Sequence, residues 1–171
     1  MIYLRYLKSL LLHKWFVFLA GLHTGVPLWR LIIHDWTKFL PVEFVSYARH
    51  FQGQSTKQTK LAFDYGWLHH QKANPHHWQY WILVYDSDPE KVKSLPMPET
   101  YVREMVADWM GASRAYTGSW NMSKWLSSNG PKMLIHDATE VLVDQVLTEM
   151  GYYLTDNCMW SYMKNPSLEL K

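Results

Sequence analysis

Apolar residues recur at helical spacing along most of this chain, and proline and glycine mark where each run stops. The first run covers 2–22, is rich in Leu, Phe and Trp, contains no proline, and ends at Gly21 and Gly25. It reads as a helix buried in the core. Pro27 suits a first helical turn, and Leu28, Trp29, Leu31, Ile32 and Ile33 continue as a second helix. Pro41 opens a third over 42–51, with Phe44, Val45, Ala48 and Phe51 as its stripe. The polar run 52–58 is a loop, and a fourth helix covers 59–73. Pro75 breaks it, and the pattern predicts that helix resumes over 76–85. A long helix from Pro98-Glu99 to Tyr116 carries Tyr101, Val102, Met105, Val106, Trp109 and Met110 on one side. Beyond Gly118 come a helical turn at 123–126, a loop at 129–131, a helix ending near Gly151 and a loosely held tail from Asn165. No run alternates as a half-buried strand does. The expected fold class is therefore all-α, five or more helices in one domain over 1–171. Its core lies at about 2–117, a helical extension follows over 118–171, and the irregular segments are 87–96 and 118–135.

Composition narrows the function. Hydrophobic residues are 48% of the 171, which excludes general disorder and suffices for one domain with a core. Ten Trp and eleven Tyr point to an aromatic interior or binding cleft. The net charge of +2 is spread without a Lys/Arg run, so stable binding of a nucleic-acid duplex is not expected. The single cysteine, Cys158, precludes an intramolecular disulfide and fits a reducing, cytoplasmic compartment, that of the host for a phage-encoded chain. His13 and Lys14 interrupt the apolar N-terminal stretch, which falls short of the roughly 20 apolar residues a membrane span needs. Arg5, Lys8 and Lys14 leave headgroup association as the alternative. The aromatic burden is compatible with a homodimer.

The candidate chemistry centres on His69-His70-Gln71-Lys72-Ala73-Asn74-Pro75-His76-His77-Trp78, which holds four of the nine histidines. Two His-His pairs this close repel when protonated, and a metal ion holds them neutral because only the deprotonated nitrogen binds it. The alternative is a pH-sensitive surface cluster. His70 and His77, like His69 and His76, are seven apart, about two helical turns, so either pair can converge on one ion. His13, mid-helix among apolar residues, is either a satisfied core imidazole or a ligand. His34-Asp35 ends an apolar helix that carries both groups inward, where an unpaired carboxylate is costly and a cation relieves it. Lys38 lies one turn on, placed to pair with Asp35 or to hold a substrate anion. Glu43 and Tyr47 share a face toward the same region, although Glu43 also suits a first-turn carboxylate. Glu104 and Asp108 are four apart beside an apolar stripe, with Asp108 favoured as a ligand. His136-Asp137 is set aside, because Asp137 and Glu140 have capping-box spacing.

Taken in order, His13, His34-Asp35, the paired histidines and Asp108 resemble the HD-domain metallohydrolases, which carry His on one helix, His-Asp on the next and a distant Asp on a later one. The dinuclear branch adds histidines in between. His34-Asp35-Trp36-Thr37-Lys38 is also similar to the His-Asp-x-Gly-Lys run of the cyclic-dinucleotide branch, with Thr37 for Gly. That branch's Gly-Tyr-Pro element has no counterpart here, which argues against its substrate. A closer likeness is to phage and bacterial proteins sharing His-His-x-x-x-Asn-x-His-His and Glu-Met-x-x-Asp-Trp. Here these are His69-His70 to Asn74 to His76-His77, and Glu104-Met105 to Asp108-Trp109. That likeness spans 13–116 and brings no known activity.

The resemblance implies an HD-like helical bundle. His13, His34, Asp35 and Asp108 would hold one divalent ion, and Asp35 would bridge to a second held by His70 and His77. One or two ions of Mn, Fe, Co, Ni or Zn suit imidazole with carboxylate. Lys38 and Arg114 would neutralise phosphate charge, and Glu104, His69 or His76 would move the proton. Asn74, Trp78 and Trp81 would contact substrate, with Trp78, Trp81 and Tyr116 the rings placed to stack on a base, although Trp at helical spacing is also ordinary core. The implied function is a metal-dependent phosphohydrolase acting on a nucleotide or other small phosphoester through metal-activated water. The alternatives are a diiron oxygenase of HD type and a non-catalytic, metal-stabilised binding protein.

Overall fold

The computed structural model describes residues 1–163, so the tail from Asn165 lies outside the described residues. Helix α1, Ile2–Thr24, stops where Gly25 turns left-handed at φ 80° and its N–H reaches the Gly21 carbonyl. Helix α2, Leu28–Ile33, follows Pro27. The chain then bends at Asp35, φ 55°, into a 3-10 turn at Trp36–Phe39. Helices α3, Pro41–Gln52, and α4, Lys57–Ala73, come next. A reciprocal capping box between Thr56 and Thr59 starts α4. Helix α5, Glu99–Thr117, is long and heavily buried. Helices α6, Ser123–Asn129, and α7, Asp137–Glu149, complete the helical set among the described residues.

Helix α5 is the axis of the packing. It lies along α1, and α3 packs on both α1 and α4. The α1–α5 approach is close because Gly111 has no side chain: a Cβ there would sit 2.5 Å from the Val17 backbone nitrogen. Val17, Ala20, Val102, Met105, Val106 and Met110 form the main core, completed by Met122, Leu126, Val143, Val146, Leu147 and Tyr152. The C-terminal segments therefore close the far side of α5. A smaller core joins Tyr6, Leu10, Tyr47 and Ala48. Contrary to the reading of 2–22 as a buried helix, α1 is buried on one side only, and Leu4, Leu11, Trp15 and Leu22 face outward. No helix among the described residues is long and apolar enough to cross a membrane.

The architecture is mostly helical, with two small antiparallel hairpins that the apolar pattern did not predict. Strand β1, Ile82–Tyr85, pairs with β2, Asp88–Ser94, and Val84 lies opposite Val92. Strand β3, Tyr152–Leu154, pairs with β4, Trp160–Tyr162. The expected helix over 76–85 is replaced by a 3-10 turn, Trp78–Trp81, running into β1, and the expected irregular stretch 87–96 contains β2. A four-residue apolar run such as Ile82-Leu83-Val84-Tyr85 has no decisive period, and its β-branched and aromatic residues favour a strand. The stretch 118–135 is less irregular than expected, holding α6 and a 3-10 turn at Gly130–Lys132. The cap of α7 is His136, not Asp137, because the His136 ring nitrogen accepts from Ala138 N–H at 3.1 Å.

Gly111→Ala is expected to lower the unfolding free energy by about 1–3 kcal/mol, the usual cost of overpacking. The measurement is the urea midpoint at unchanged slope, and an unmoved midpoint would show the α1–α5 contact to be slack.

Candidate metal centre

Asp35 is the geometric centre of a buried polar cluster. It is 1% exposed and sits at the single left-handed residue between α2 and the 3-10 turn. That bend turns its carboxylate inward to where five segments meet. Lys38 donates to Oδ2 from one turn away. His13 of α1 brings Nε2 within 3.2 Å of the same oxygen, and His34 Nε2 lies 3.4 Å from it. On the other oxygen, Oδ1, His70 Nε2 stands at 3.3 Å and His76 Nε2 at 3.4 Å. Asp108 of α5 closes the first side, 3.1 Å from His13 Nε2 and 3.5 Å from His34 Nε2.

Two ligand groups therefore share one carboxylate. His13, His34, Asp35 and Asp108 form one, and Asp35, His70, His76 and His77 form the other. In each, the donor atoms lie within 4.8 Å of one another, and all the residues are buried. The Nε2 atoms of His34, His70, His76 and His77 and the Oδ1 atoms of Asp35 and Asp108 have no hydrogen-bond partner. Buried polar atoms are ordinarily satisfied, and six orphaned lone-pair donors converging on two points suit cations.

An outer layer of carboxylates fixes which nitrogen faces inward. His34 Nδ1 donates to Glu104 Oε1 at 3.0 Å, and His76 Nδ1 lies 3.3 Å from the same oxygen. Glu104 forms a third close group with these two histidines. Glu43 accepts from His70 Nδ1 at 2.8 Å and from His69 Nδ1 at 2.6 Å. An ionised carboxylate only accepts, so each Nδ1 carries a proton, and in the neutral ring Nε2 then presents the lone pair. Glu104 is itself held by Arg30, at 2.6 Å and 2.7 Å. Asn74 donates to Thr37 Oγ1 and to the His70 carbonyl, and so locks the end of α4.

The electrostatics reflect this crowding. Burial pushes the Asp35 carboxyl up, but the charges of His34 and Lys38 hold it well below the usual range. Burial pulls His34 down, and Asp35, Asp108 and Glu104 together raise it well above an ordinary imidazole. His77 goes the other way: burial, then its neighbours His76 and His70, depress it far below the usual value. Burial raises the Asp108 carboxyl, and the nearby imidazoles of His13 and His34 outweigh it.

A cavity of about 430 Å³ opens beside the first group. His13, Lys38, His77 and Asp108 form its polar end. Its walls are mainly aromatic, from Tyr6, Tyr47, Phe51, Phe63, Trp67 and Tyr116. Tyr116 lies parallel to the His13 ring at 6.2 Å.

Of the residues singled out from the sequence, His13, His34, Asp35, His70, His77 and Asp108 come together around Asp35, and Lys38 joins them. His76, expected to carry a proton, stands among the ligand groups instead. His69 turns away to Glu43, its side chain 39% exposed. Glu104, also expected to move a proton, has both oxygens engaged and does not line the cavity. Asn74 acts on Thr37 and His70, away from the cavity wall. Trp78 and Trp81 pack on the main core, with Trp81 Nε1 donating to the Pro75 carbonyl at 2.7 Å. Neither lines the cavity. Arg114 lies over Phe16 and Trp120 and donates to the Gly118 carbonyl, outside the cavity. Arg30 and Trp67 were not singled out, and Lys14 was read only as a residue that could face headgroups. Arg30 had a signal, a lone charge inside an apolar helix, and Lys14 donates to the His34 carbonyl.

The chain belongs to the family of unknown function DUF5662, whose family model matches residues 3–149. No curated protein and no solved structure is detectably similar to it.

Arg30→Met leaves Glu104 buried beside two imidazoles without its guanidinium, and should lower the unfolding free energy by about 3–5 kcal/mol. The double variant Arg30→Met/Glu104→Gln should lose less than the two single losses added together, measured by urea denaturation in EDTA. Strictly additive losses would show that the pair does not interact.

Proposed function

We propose that this DUF5662 member is a metal-dependent phosphohydrolase acting on a nucleotide or another small phosphoester at the Asp35 centre. The observation that carries the reading is the shared carboxylate: Asp35 faces two ligand groups, one with each oxygen, beside a cavity that holds a lysine. The order of His13, His34-Asp35 and Asp108 along the chain supports it through the resemblance to HD-domain hydrolases. Imidazole with carboxylate suits Mn, Fe, Co, Ni or Zn. His13, His34, Asp35 and Asp108 would hold one ion, and Asp35, His70, His76 and His77 the second. When bound, such ions supply a water of lowered pKa and polarise a phosphoryl oxygen.

The chain's own groups do the rest. Glu104 and Glu43 keep the Nε2 lone pairs of His34, His76 and His70 turned inward. Lys38, at the polar end of the cavity and bonded to Asp35, neutralises phosphoryl charge. The aromatic walls exclude bulk water from the reacting end. Hydrolysis breaks the phosphorus–oxygen bond to the alcohol and forms a new one from water. One proton of that water ends on the departing alcohol oxygen, and inorganic phosphate leaves with the other.

A second reading, a diiron oxygenase on the same ligands, draws support from the walls, where aromatic side chains outweigh polar ones. Metal analysis separates the two. Protein purified without a His tag should carry close to two transition-metal ions per chain, and Asp35→Asn should lose both. Manganese- or cobalt-loaded protein should hydrolyse phosphoesters, whereas bound iron with oxygen uptake and no hydrolysis would favour the oxygenase. No ion bound, even after adding manganese, cobalt or nickel, removes both readings. Glu43→Gln should stay folded yet bind metal about 10–100-fold more weakly, because it orients His70 from outside the ligand set. Equilibrium dialysis checks this, and unchanged affinity would show that the outer carboxylate plays no part.

A further inference from the structure

Two buried hydroxyls near the centre have no role in holding it. Tyr6 is 6% exposed and Tyr47 4%, and neither phenol oxygen has a hydrogen-bond partner. Their rings meet edge to face at 6.2 Å, one from α1 and one from α3, and both line the cavity. Core tyrosines usually satisfy the hydroxyl, and here two whose rings line an open cavity do not. Phe63 and Trp67 supply flat apolar surface next to them, and Ser9 and Gln52 are further uncharged polar residues of the wall. Charge is scarce. Among the described residues lining the cavity, Lys38 is the one Lys or Arg, and it is already paired with Asp35. Arg30 is taken up by Glu104 and Lys14 by the His34 carbonyl.

We propose that Tyr6 and Tyr47 are specificity-determining residues, and that the cavity takes a phosphate monoester whose alcohol part is flat, uncharged and rich in hydrogen-bond acceptors. A nucleoside 5′-monophosphate has this chemistry, and a di- or triphosphate does not. The proposal rests on the hydrolase reading of the same site. One phosphate matches one lysine and the ligand groups, whereas a triphosphate would bring several more negative charges against aromatic walls without cations to meet them. Each phenol donates its O–H to an acceptor on the flat body, and the rings of Phe63 and Trp67 stack on that body. A site built to bond a polar group discriminates strongly against a ligand that leaves it unpaired.

The test is titration calorimetry on the manganese-loaded full chain with non-hydrolysable phosphonate analogues of thymidine mono- and triphosphate, and with inorganic phosphate. The monophosphate analogue should bind at least ten times more tightly than the triphosphate analogue. Tyr6→Phe and Tyr47→Phe keep the ring packing, and each should weaken monophosphate-analogue binding about 3–10-fold, the loss of one neutral hydrogen bond. Binding of inorganic phosphate and metal content should not change. With thymidine 5′-monophosphate as substrate the same variants should raise KM by that factor and leave kcat near the wild-type value. Equal affinity for the two analogues, unaltered binding by both Phe variants, or parallel loss of inorganic phosphate would each overturn the proposal. With two ions bound and a phosphoester turned over, such a result leaves the hydrolase reading standing. Absence of bound ions fails that reading first, and the proposal with it, a result read from metal content rather than from selectivity.

Discussion

The structure depends on keeping ionised carboxylates inside a protein. Asp35, Glu43, Glu104 and Asp108 are all buried, and a charge taken from water is tolerated only when paired and hydrogen-bonded. Each element around the centre brings a compensating group. Helix α1 brings His13, the 3-10 turn Lys38, α2 Arg30 and α4 His70. Removing a helix from this arrangement would strand a charge as well as expose apolar area. The polar centre therefore couples α1, α2, α3, α4 and α5 in addition to their apolar contacts.

Compensation is uneven, and that unevenness carries the chemistry. On the outer side the Nδ1 atoms of His34 and His70 and the carboxylates of Glu43 and Glu104 are engaged. The Nε2 atoms of His34, His70, His76 and His77 and the Oδ1 atoms of Asp35 and Asp108 are not, nor is His13 Nδ1. A sequence optimised only for folding would satisfy both layers or replace both with apolar residues. Local rules broken together at one place are the usual mark of a functional site. The rigid outer layer also explains why two carboxylates that never face the cavity are indispensable to it, since each fixes the tautomer and ring direction of the histidines it touches.

The cavity inherits its character from the same packing. Helices α1 and α5 approach closely at Gly111 and Val17, one turn along each helix from His13 and Asp108, which fixes the spacing of those two side chains. The aromatic residues of α3 and α4 then form the remaining walls. Among the described residues the C-terminal segments add nothing to the Asp35 cluster, but they pack Val143, Val146, Leu147 and Tyr152 against α5. They hold in place the helix on which Glu104, Asp108 and Gly111 are arrayed.

Helical periodicity and proline punctuation made most of the helices legible, because both act within a few residues. The same local logic failed over 76–94, where four apolar residues carry no decisive period and only pairing across Asp86 and Ser87 makes β1 a strand. The residues that cluster around Asp35 were legible as types. Repeated histidine pairs and a His-Asp step at the end of an apolar helix are costly unless something binds them. What the one-dimensional pattern could not decide was direction. His69 and His70 are adjacent on α4, yet one turns to the outer side of Glu43 and the other to Asp35. Trp78 and Trp81 leave the site because the chain reverses after Asn74, and Arg114 finds Phe16 and Trp120 instead of the cavity. Which side a residue faces, and which partner across 70 positions meets it, follows from how helices dock. Arg30 and His34 meet Glu104 only because α2 packs where the interior leaves room for charge, and that is settled by tertiary structure alone.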